Sequence, residues 1–83
     1  MRLDVALHEL RLFKSRSQAQ AAIHDGGLLL NGETAKPSHD LHPGDRITLS
    51  GVGFRRTLEI LELPNRSLSK EAAKALVREV PEA

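Results

Sequence analysis

The sequence predicts an α+β fold in which a hairpin of two helices packs on a small, twisted, mostly antiparallel sheet, with a further helix near the C-terminus. Apolar residues with helical spacing occupy the first part of the chain, and short apolar runs between turn signals occupy the middle. Another amphipathic pattern begins at Ser69. Together these patterns predict the element order α, α, β, β, β, β, α within one domain of 83 residues.

The first two predicted helices form the hairpin. The apolar positions of the first helix, at i, i+3, i+4 and i+7, are Leu3, Ala6, Leu7 and Leu10. We expect about ten residues in this helix, with Asp4 in its first turn and Arg11 in its last, where the helix dipole favours each charge. The second helix begins at a capping box formed by Ser15 and Gln18 and ends at Gly26 or Gly27, either of which can adopt a left-handed conformation.

Short segments between turn residues predict four strands. The segments are Leu28–Leu30, Glu33–Ala35, Arg46–Leu49 and Phe54–Leu63. Asn31 and Gly32 separate the first two segments, and this pair is a strong signal for a tight hairpin turn. In the last strand Phe54, Leu58 and Ile60 share one face, and Leu61 and Leu63 indicate a switch of face or a bulge.

The last predicted helix is capped by Ser69 and ends before Pro81. The residues expected on its inner face are Ala72, Ala73, Leu76 and Val77. Lys70, Lys74 and Arg78 recur at i, i+4 and i+8, so we expect them to share one solvated face of this helix.

The composition argues against several classes of protein. There are no cysteines, so neither a disulfide nor a thiolate metal site can stabilise the chain. The only aromatic residues are Phe13 and Phe54, which disfavours modules that read single strands by stacking bases on aromatic side chains. The formal net charge is only +1, so a basic surface has to arise from charges that are segregated in space. No apolar run is long enough to span a membrane, and we expect a cytoplasmic monomer.

One stretch places cations at the start of a helix. Lys14 and Arg16 flank the cap residue Ser15, where backbone N–H groups and the helix dipole already attract negative charge. Two cations gain nothing from the dipole at this position, so an external anion such as a phosphate would explain them. The alternative is a capped helix with solvated charges, and Ser15 caps the helix in either case.

The motifs resemble the RNA-binding domain named after small-subunit ribosomal protein S4, over residues 2–49. The residues that carry the resemblance are, in chain order, Arg2-Leu3-Asp4, Leu7, Lys14-Ser15-Arg16, Ala19, Ile23, Gly26, Leu28, Leu30, Asn31-Gly32, Lys36-Pro37-Ser38, Gly44-Asp45 and Ile47. Within that family the opening and the Phe-Lys-Ser-Arg block are most similar to the small, ribosome-associated heat-shock proteins of fifteen kilodaltons.

The resemblance implies a partner and a site. Residues 1–50 would form the RNA-binding core, and residues 51–83 would pack on it within the same domain. The implied partner is structured RNA, above all ribosomal RNA on large subunits that have stalled with a nascent chain. By position in the motifs, the RNA-contacting residues are Arg2, Lys14, Ser15, Arg16, Gln20, Asn31 and Lys36. The residues that would extend the basic face are Arg11, Arg46, Arg55 and Arg56. The alternative is that they are ordinary solvated charges, which is also what we expect of Arg66.

No catalytic residue, metal site, cofactor site or small-molecule site is predicted. His39 and His42 lie in a loop without the four closed ligands of a structural zinc site, and neither a nucleophile motif nor a phosphate loop occurs. Two departures from the family pattern keep other functions open: Gln20 replaces a usual cation, and the acidic Asp25 precedes the glycines. The alternatives are a protein-interaction module on the same fold and an accessory subunit that lends RNA affinity to an enzyme.

Overall fold

Residues 1–64 and 69–81 are described by a computed structural model, and within them the chain forms three helices and five strands. The elements are α1 (Leu3–Glu9), α2 (Arg16–His24), β1 (Leu28–Leu30), β2 (Glu33–Thr34), β3 (Arg46–Gly51), β4 (Phe54–Ile60), α3 (Lys70–Lys74) and β5 (Val77–Val80). The strands form one sheet in the order β2-β1-β3-β4-β5, and each pair of neighbours is antiparallel. The predicted α+β class, with its helical hairpin, is confirmed.

The core lies between the helical hairpin and one face of the sheet. Its buried apolar residues are Leu3, Ala6, Leu7, Leu10, Ala19, Ile23, Leu28, Leu30, Leu41, Ile47 and Ile60. All four apolar positions predicted for α1 belong to it, because the i, i+3, i+4, i+7 spacing places them on one side of the helix. The core therefore fixes α1 and α2 against β1, β3 and β4.

The turn between β1 and β2 has the predicted form. Leu30 pairs with Glu33, so the connection is the two residues Asn31 and Gly32, whose φ angles are 52° and 83°. A two-residue hairpin turn with positive φ at both positions matches the right-handed twist of the strands. Of the two glycines predicted to end α2, Gly26 has a positive φ, 80°, directly after the C-cap residue.

Some predicted boundaries are wrong. The helix α1 ends at Glu9 with Leu10 as its C-cap, so Arg11 lies beyond it, with a φ of 60°. Strand β2 ends at Thr34 rather than Ala35. Strand β4 ends at Ile60 rather than Leu63. Just beyond it, the backbone N–H groups of Leu61 and Glu62 both donate to the carbonyl oxygen of Leu76, at 2.8 and 3.3 Å.

The prediction for the C-terminal helix is wrong beyond its first turns. Ser69 caps α3 as expected, but the helix has only five residues and ends at Lys74. The chain then forms β5, in which Val77 lies opposite Ile60 of β4. Two β-branched valines in an extended segment stabilise the outer edge of β4, which outweighs the helical spacing of the sequence. Arg78 therefore belongs to a strand and does not share a helix face with Lys70 and Lys74.

Candidate nucleic-acid interface

A buried carboxylate lies at the centre of the predicted site. The side chain of Asp4 has no exposed surface and accepts hydrogen bonds from three other side chains. Arg2 donates through Nε to Oδ1 at 3.1 Å and through Nη2 to Oδ2 at 3.2 Å. Arg16 and Gln20, one turn apart on α2, donate to Oδ2 at 3.0 and 2.8 Å. Three of the predicted RNA-contacting residues thus meet at one carboxylate, and we call these four residues the Asp4 cluster.

The Asp4 cluster keeps its carboxylate ionised. Burial raises the pKa of the Asp4 carboxyl, but the hydrogen bonds from Arg2, Gln20 and Arg16 outweigh burial and hold this pKa well below its usual value. The backbone N–H of Val5 adds a further bond at 2.8 Å. The hydrogen bond to Asp4 also raises the pKa of Arg2. Two guanidinium groups against one carboxylate leave the cluster with one net positive charge.

Both arginines of the cluster keep surface and donors for a ligand. Their side chains are 48 % and 50 % exposed, although their common partner is fully buried. A guanidinium carries five N–H donors, of which the contacts with Asp4 use two on Arg2 and one on Arg16. Since one edge of each guanidinium is fixed, less side-chain entropy is lost when the remaining donors bind a phosphate.

The N-terminus of α2 adds backbone donors to the same region. The cap residue Ser15 accepts from the N–H of Gln18 at 3.1 Å, as predicted. The N–H groups of Arg16 and Ser17 precede the first backbone bond of the helix, from Ala19 to Ser15. Lys14 is exposed and directly precedes the cap. This end of α2 therefore combines backbone N–H groups, the positive end of the helix dipole and two cations.

The loop after β2 brings Lys36 to the start of α1. The carbonyl oxygen of Pro37 accepts from the N–H of Asp4 at 3.2 Å, and the carbonyl oxygen of His39 accepts from the N–H of Leu3 at 2.8 Å. Lys36 is exposed and precedes Pro37, so its backbone lies beside the first turn of α1. The fold thus brings segments that are distant in sequence to the ends of α1 and α2 where the Asp4 cluster lies.

Asn31 makes its contacts within the sheet. Its side-chain amide donates to Asp45 Oδ1 at 3.1 Å, and its side-chain oxygen accepts from the N–H of Arg46 at 2.8 Å. Its backbone N–H donates to the carbonyl oxygen of Arg46 at 2.7 Å. These bonds fix the β1–β2 turn against the start of β3, and an RNA contact by Asn31 stays a prediction.

The arginines that would extend the basic face are distributed over the sheet and the helical hairpin. They are Arg11, Arg46, Arg55 and Arg56, while Arg66 lies outside the described residues. Arg56 forms a 2.7 Å ion pair with Glu79, and Arg46 lies 4.0 Å from Glu59. The hydrogen bond from Arg56 lowers the pKa of the Glu79 carboxyl. Among the described residues, the side chains that hydrogen-bond to Asp4 are those of Arg2, Arg16 and Gln20. The four arginines of the basic face therefore make no hydrogen bond to Asp4.

The role of Asp4 is the main feature of the site that motif and composition did not predict. The sequence pattern relates its charge only to the helix dipole of α1. A usable signal was present, because Asp4 precedes Leu7 by three positions and so borders the buried stripe of α1. A carboxylate on the border of a core requires charged partners, and the fold supplies Arg2 and Arg16.

Potential metal ligands and the lengths of the helices also bear on the function. Among residues 1–64 and 69–81, no group of three or more potential ligands is arranged to hold a metal ion. His42 lies 3.2 Å from the carboxylate of Asp40. None of the helices in this described part has both the length and the apolar character needed to cross a membrane.

Two RQC P-site tRNA stabilizing factors match most of the chain. The RQC P-site tRNA stabilizing factor of Bacillus subtilis (strain 168) is 37% identical over 73 residues, which cover 88% of this chain and 85% of that protein. The RQC P-site tRNA stabilizing factor of Helicobacter pylori (strain J99) is 36% identical over 64 residues, covering 77% of this chain and 76% of its own.

Solved structures and family comparison agree with these relatives. The heat shock protein 15 of Vibrio cholerae, described as trimeric, superimposes with a TM-score of 0.89 and 32% identity, covering 96% of this chain and 81% of that one. The expected monomer stays a prediction for this chain. The family model described as the S4 domain matches residues 1–47, more than half of the sequence and the part that contains the whole Asp4 cluster. The resemblance inferred from the motifs is confirmed, and the chain belongs to the S4 domain family.

Proposed function

We propose that this chain is a non-catalytic RNA-binding protein of the cytoplasm. On ribosomal particles it would stabilise a tRNA that occupies the P site. The name of the two relatives, RQC P-site tRNA stabilizing factor, supports the choice of tRNA and ribosome. The observation that carries the proposal is the Asp4 cluster, in which a buried carboxylate fixes Arg2 and Arg16 at the protein surface.

The cluster and the start of α2 would bind the phosphate backbone. Arg2 and Arg16 present the donors that Asp4 does not use, and Lys14 and Lys36 add charge beside them. Contacts of this kind position a protein on folded RNA without reading its bases. Recognition would therefore depend on the shape of the RNA and on the spacing of its phosphates.

The first test removes both arginines of the cluster. We expect Arg2→Ala with Arg16→Ala to weaken binding to purified tRNA and to large ribosomal subunits by about 10- to 100-fold, because two charge-assisted hydrogen-bond donors are lost. Filter binding and co-sedimentation measure this. The matched control, Lys74→Ala with Arg78→Ala, removes the same charge from residues outside the predicted contacts and should bind like the unmodified chain. Equal affinity of the folded Arg2/Arg16 variant and the control would refute the proposal.

Salt dependence separates RNA binding from a protein-interaction function. If about four phosphates are neutralised, the logarithm of the affinity should fall with the logarithm of salt concentration with a slope of about −3 to −4. The Arg2/Arg16 double variant should lower that slope by about two units in magnitude. Association with ribosomal particles that is indifferent to salt and retained in the double variant would instead support the protein-interaction module.

A further inference from the structure

A cavity of about 510 Å³ lies where the link between α1 and α2 meets the start of α3. Leu12 and Phe13 form its apolar part, and both pack against the core. The polar residues that line it are His8, Glu9, Arg11, Lys14 and Lys70. Three of these side chains are cations and one is a carboxylate, so the wall carries two net positive charges, in a chain whose formal net charge is only +1. Positive charge is thus concentrated at this cavity.

The backbone of Arg11 is an unusual feature of the cavity wall. The N–H of Arg11 donates to the carbonyl oxygen of His8 at 3.0 Å, and the N–H of Leu12 donates to that of Leu7 at 3.1 Å. These two bonds form a Schellman motif, which closes α1 after its C-cap residue Leu10. Arg11 holds the left-handed position of the motif, with a φ of 60°. Glycine is the usual residue there, because a Cβ atom in this conformation crowds the following carbonyl oxygen.

The end of α1 therefore does not account for an arginine at this position. Residues held in a strained backbone conformation occur at binding sites, where the surrounding structure fixes them. The side chain of Arg11 is exposed and lines the same cavity as those of Lys14 and Lys70. A guanidinium presents several N–H donors in one plane, which matches the oxygens of a phosphate. The cavity thus combines a fixed guanidinium with two ammonium groups, an arrangement suited to an anion with several oxygens.

The position of the cavity indicates which phosphate would occupy it. Lys14 lies in the cavity wall and directly precedes Ser15, the cap of α2. Lys14 and Arg16 are two positions apart, so their Cα atoms lie within about 7 Å of each other. The cavity therefore adjoins the surface that Arg16 presents from the Asp4 cluster. A chain of regularly spaced phosphates can contact both places at once, whereas a single small anion can contact only one of them.

We propose that the cavity binds a backbone phosphate of the RNA, with Arg11, Lys14 and Lys70 as its cationic contacts. The site rests on the proposed RNA-binding function and extends the interface from the Asp4 cluster across the α1–α2 link to α3. Lys70 contributes a point charge on a flexible stem, so its contact does not depend on the capping of α3 by Ser69. Contacts with phosphate position the RNA and read no bases.

The first test replaces Arg11 in two ways in the full chain. Arg11→Gly removes the guanidinium and suits the left-handed backbone, whereas Arg11→Ala removes the same group and keeps the strain. Both variants should bind purified tRNA and large ribosomal subunits about three- to tenfold more weakly than the unmodified chain. Arg11→Gly should melt at a higher temperature than Arg11→Ala. Similar losses of affinity at different stabilities would show that the side chain of Arg11 makes the contact.

Lys70 and Lys74 provide a matched pair for the second test. Both are exposed lysines of α3, one turn apart, but Lys70 lines the cavity and Lys74 does not. Lys70→Ala should weaken RNA binding by about three- to tenfold and lower the magnitude of the salt slope by about one unit. Lys74→Ala removes the same charge and should change neither quantity.

The outcomes separate this site from the proposed function. Unchanged RNA affinity of folded Arg11→Gly, or equal affinities of Lys70→Ala and Lys74→Ala, would refute the phosphate contact, while loss of affinity in the Arg2/Arg16 double variant would leave the proposed function standing. A small phosphate compound or an acidic peptide in the cavity would also leave RNA affinity unchanged in these variants, and so contradicts the proposal. If the unmodified chain binds neither tRNA nor large subunits, the proposed function fails and the cavity contact fails with it.

Discussion

At Asp4, a single buried charge determines how two arginines are arranged. A carboxylate without exposed surface is costly unless its oxygens accept hydrogen bonds from charged or polar groups. Arg2, Arg16 and Gln20 supply those bonds, and they come from the start of α1 and from α2. The neutral amide of Gln20 donates to Asp4 at 2.8 Å. The same bonds that stabilise the fold therefore orient the surface that we propose binds RNA.

The lowered pKa of Asp4 predicts a pH-dependent contribution to stability. Because the folded pKa lies below the unfolded value of about 3.9, the ionised Asp4 stabilises the fold at neutral pH, and its contribution is lost as pH falls through the interval between the two. Asp4→Asn should lower the free energy of unfolding by about 2–4 kcal/mol at pH 7, because an amide N–H replaces an acceptor that faces the arginines. Urea denaturation at several pH values measures this.

The difference between Asp4→Asn and the unmodified chain should shrink between about pH 5 and pH 2. Asp40→Asn is the matched control, because the pKa of Asp40 is also lowered, chiefly by the N-terminal ammonium, but its side chain is 66 % exposed. It should change stability much less than Asp4→Asn does, because solvent screens its ion pair. A difference for Asp4→Asn that is independent of pH would contradict the assigned role of the buried carboxylate.

Among single residues, those with a local signature were predictable. Ser15 was identified as a cap from its spacing to Gln18, and Asn31 with Gly32 from turn chemistry, because each of these depends on neighbours in sequence. The bond between Asp4 and Gln20 joins residues 16 positions apart. It depends on how α1 packs against α2, which the sequence pattern of either helix alone does not specify.

At the scale of the element, the cap of α2 should have two separable effects. Ser15→Ala removes the acceptor for the N–H of Gln18 and should lower the free energy of unfolding by about 1 kcal/mol. It should also weaken RNA binding, because the first turn of α2 frays where the phosphate is expected. Ser69→Ala makes the same change at the cap of α3 and should cost similar stability without affecting RNA affinity. Thermal unfolding and filter binding compare the two, and equal RNA affinity of both variants would show that the start of α2 is not part of the interface.

Two substitutions of Asn31 separate the two requirements of the β1–β2 turn, which are a positive φ and the side-chain hydrogen bonds to Asp45 and Arg46. Asn31→Gly keeps a positive φ without strain but loses the side-chain bonds to Asp45 and Arg46. Asn31→Ala loses the same bonds and adds the left-handed strain of an alanine, about 1 kcal/mol or more. We therefore expect Asn31→Ala to be less stable than Asn31→Gly, and both to be less stable than the unmodified chain. Urea midpoints at constant m-value measure this, and equal midpoints for the two variants would contradict the turn assignment.

The C-terminal elements show where pattern alone fails. The segment from Ser69 to Val80 has helical spacing of its apolar residues, and its first five helical residues follow that pattern. The remainder becomes β5, because β4 offers an unpaired edge on which Val77 lies opposite Ile60. The choice between helix and strand is made by that edge, whose availability depends on the order of strands in the sheet. Strand order is a property of the fold and not of the segment.

At the scale of the whole molecule, the part that matches the S4 family depends on the strands that follow it. The family match covers residues 1–47, yet β3 extends to Gly51 and pairs along its full length with β4. Ile60 of β4 is fully buried in the same core as the helices, and Leu58 is buried beside it. The RNA-binding core and the C-terminal segment should therefore unfold together as a single domain.

A fragment of residues 1–50 tests this dependence. It lacks β4 and β5, so β3 becomes an exposed edge and the core loses Leu58 and Ile60. Each of these side chains contributes about 1.5–3 kcal/mol on burial, and their sum is comparable to the total stability of about 4–12 kcal/mol expected for a domain of this size. The fragment should show no cooperative thermal transition and no measurable RNA affinity, whereas a chain truncated after Val80 should retain both. Cooperative unfolding of the isolated fragment would mean that the helical hairpin and β1–β3 are sufficient, and that the C-terminal strands are an addition to an independent core.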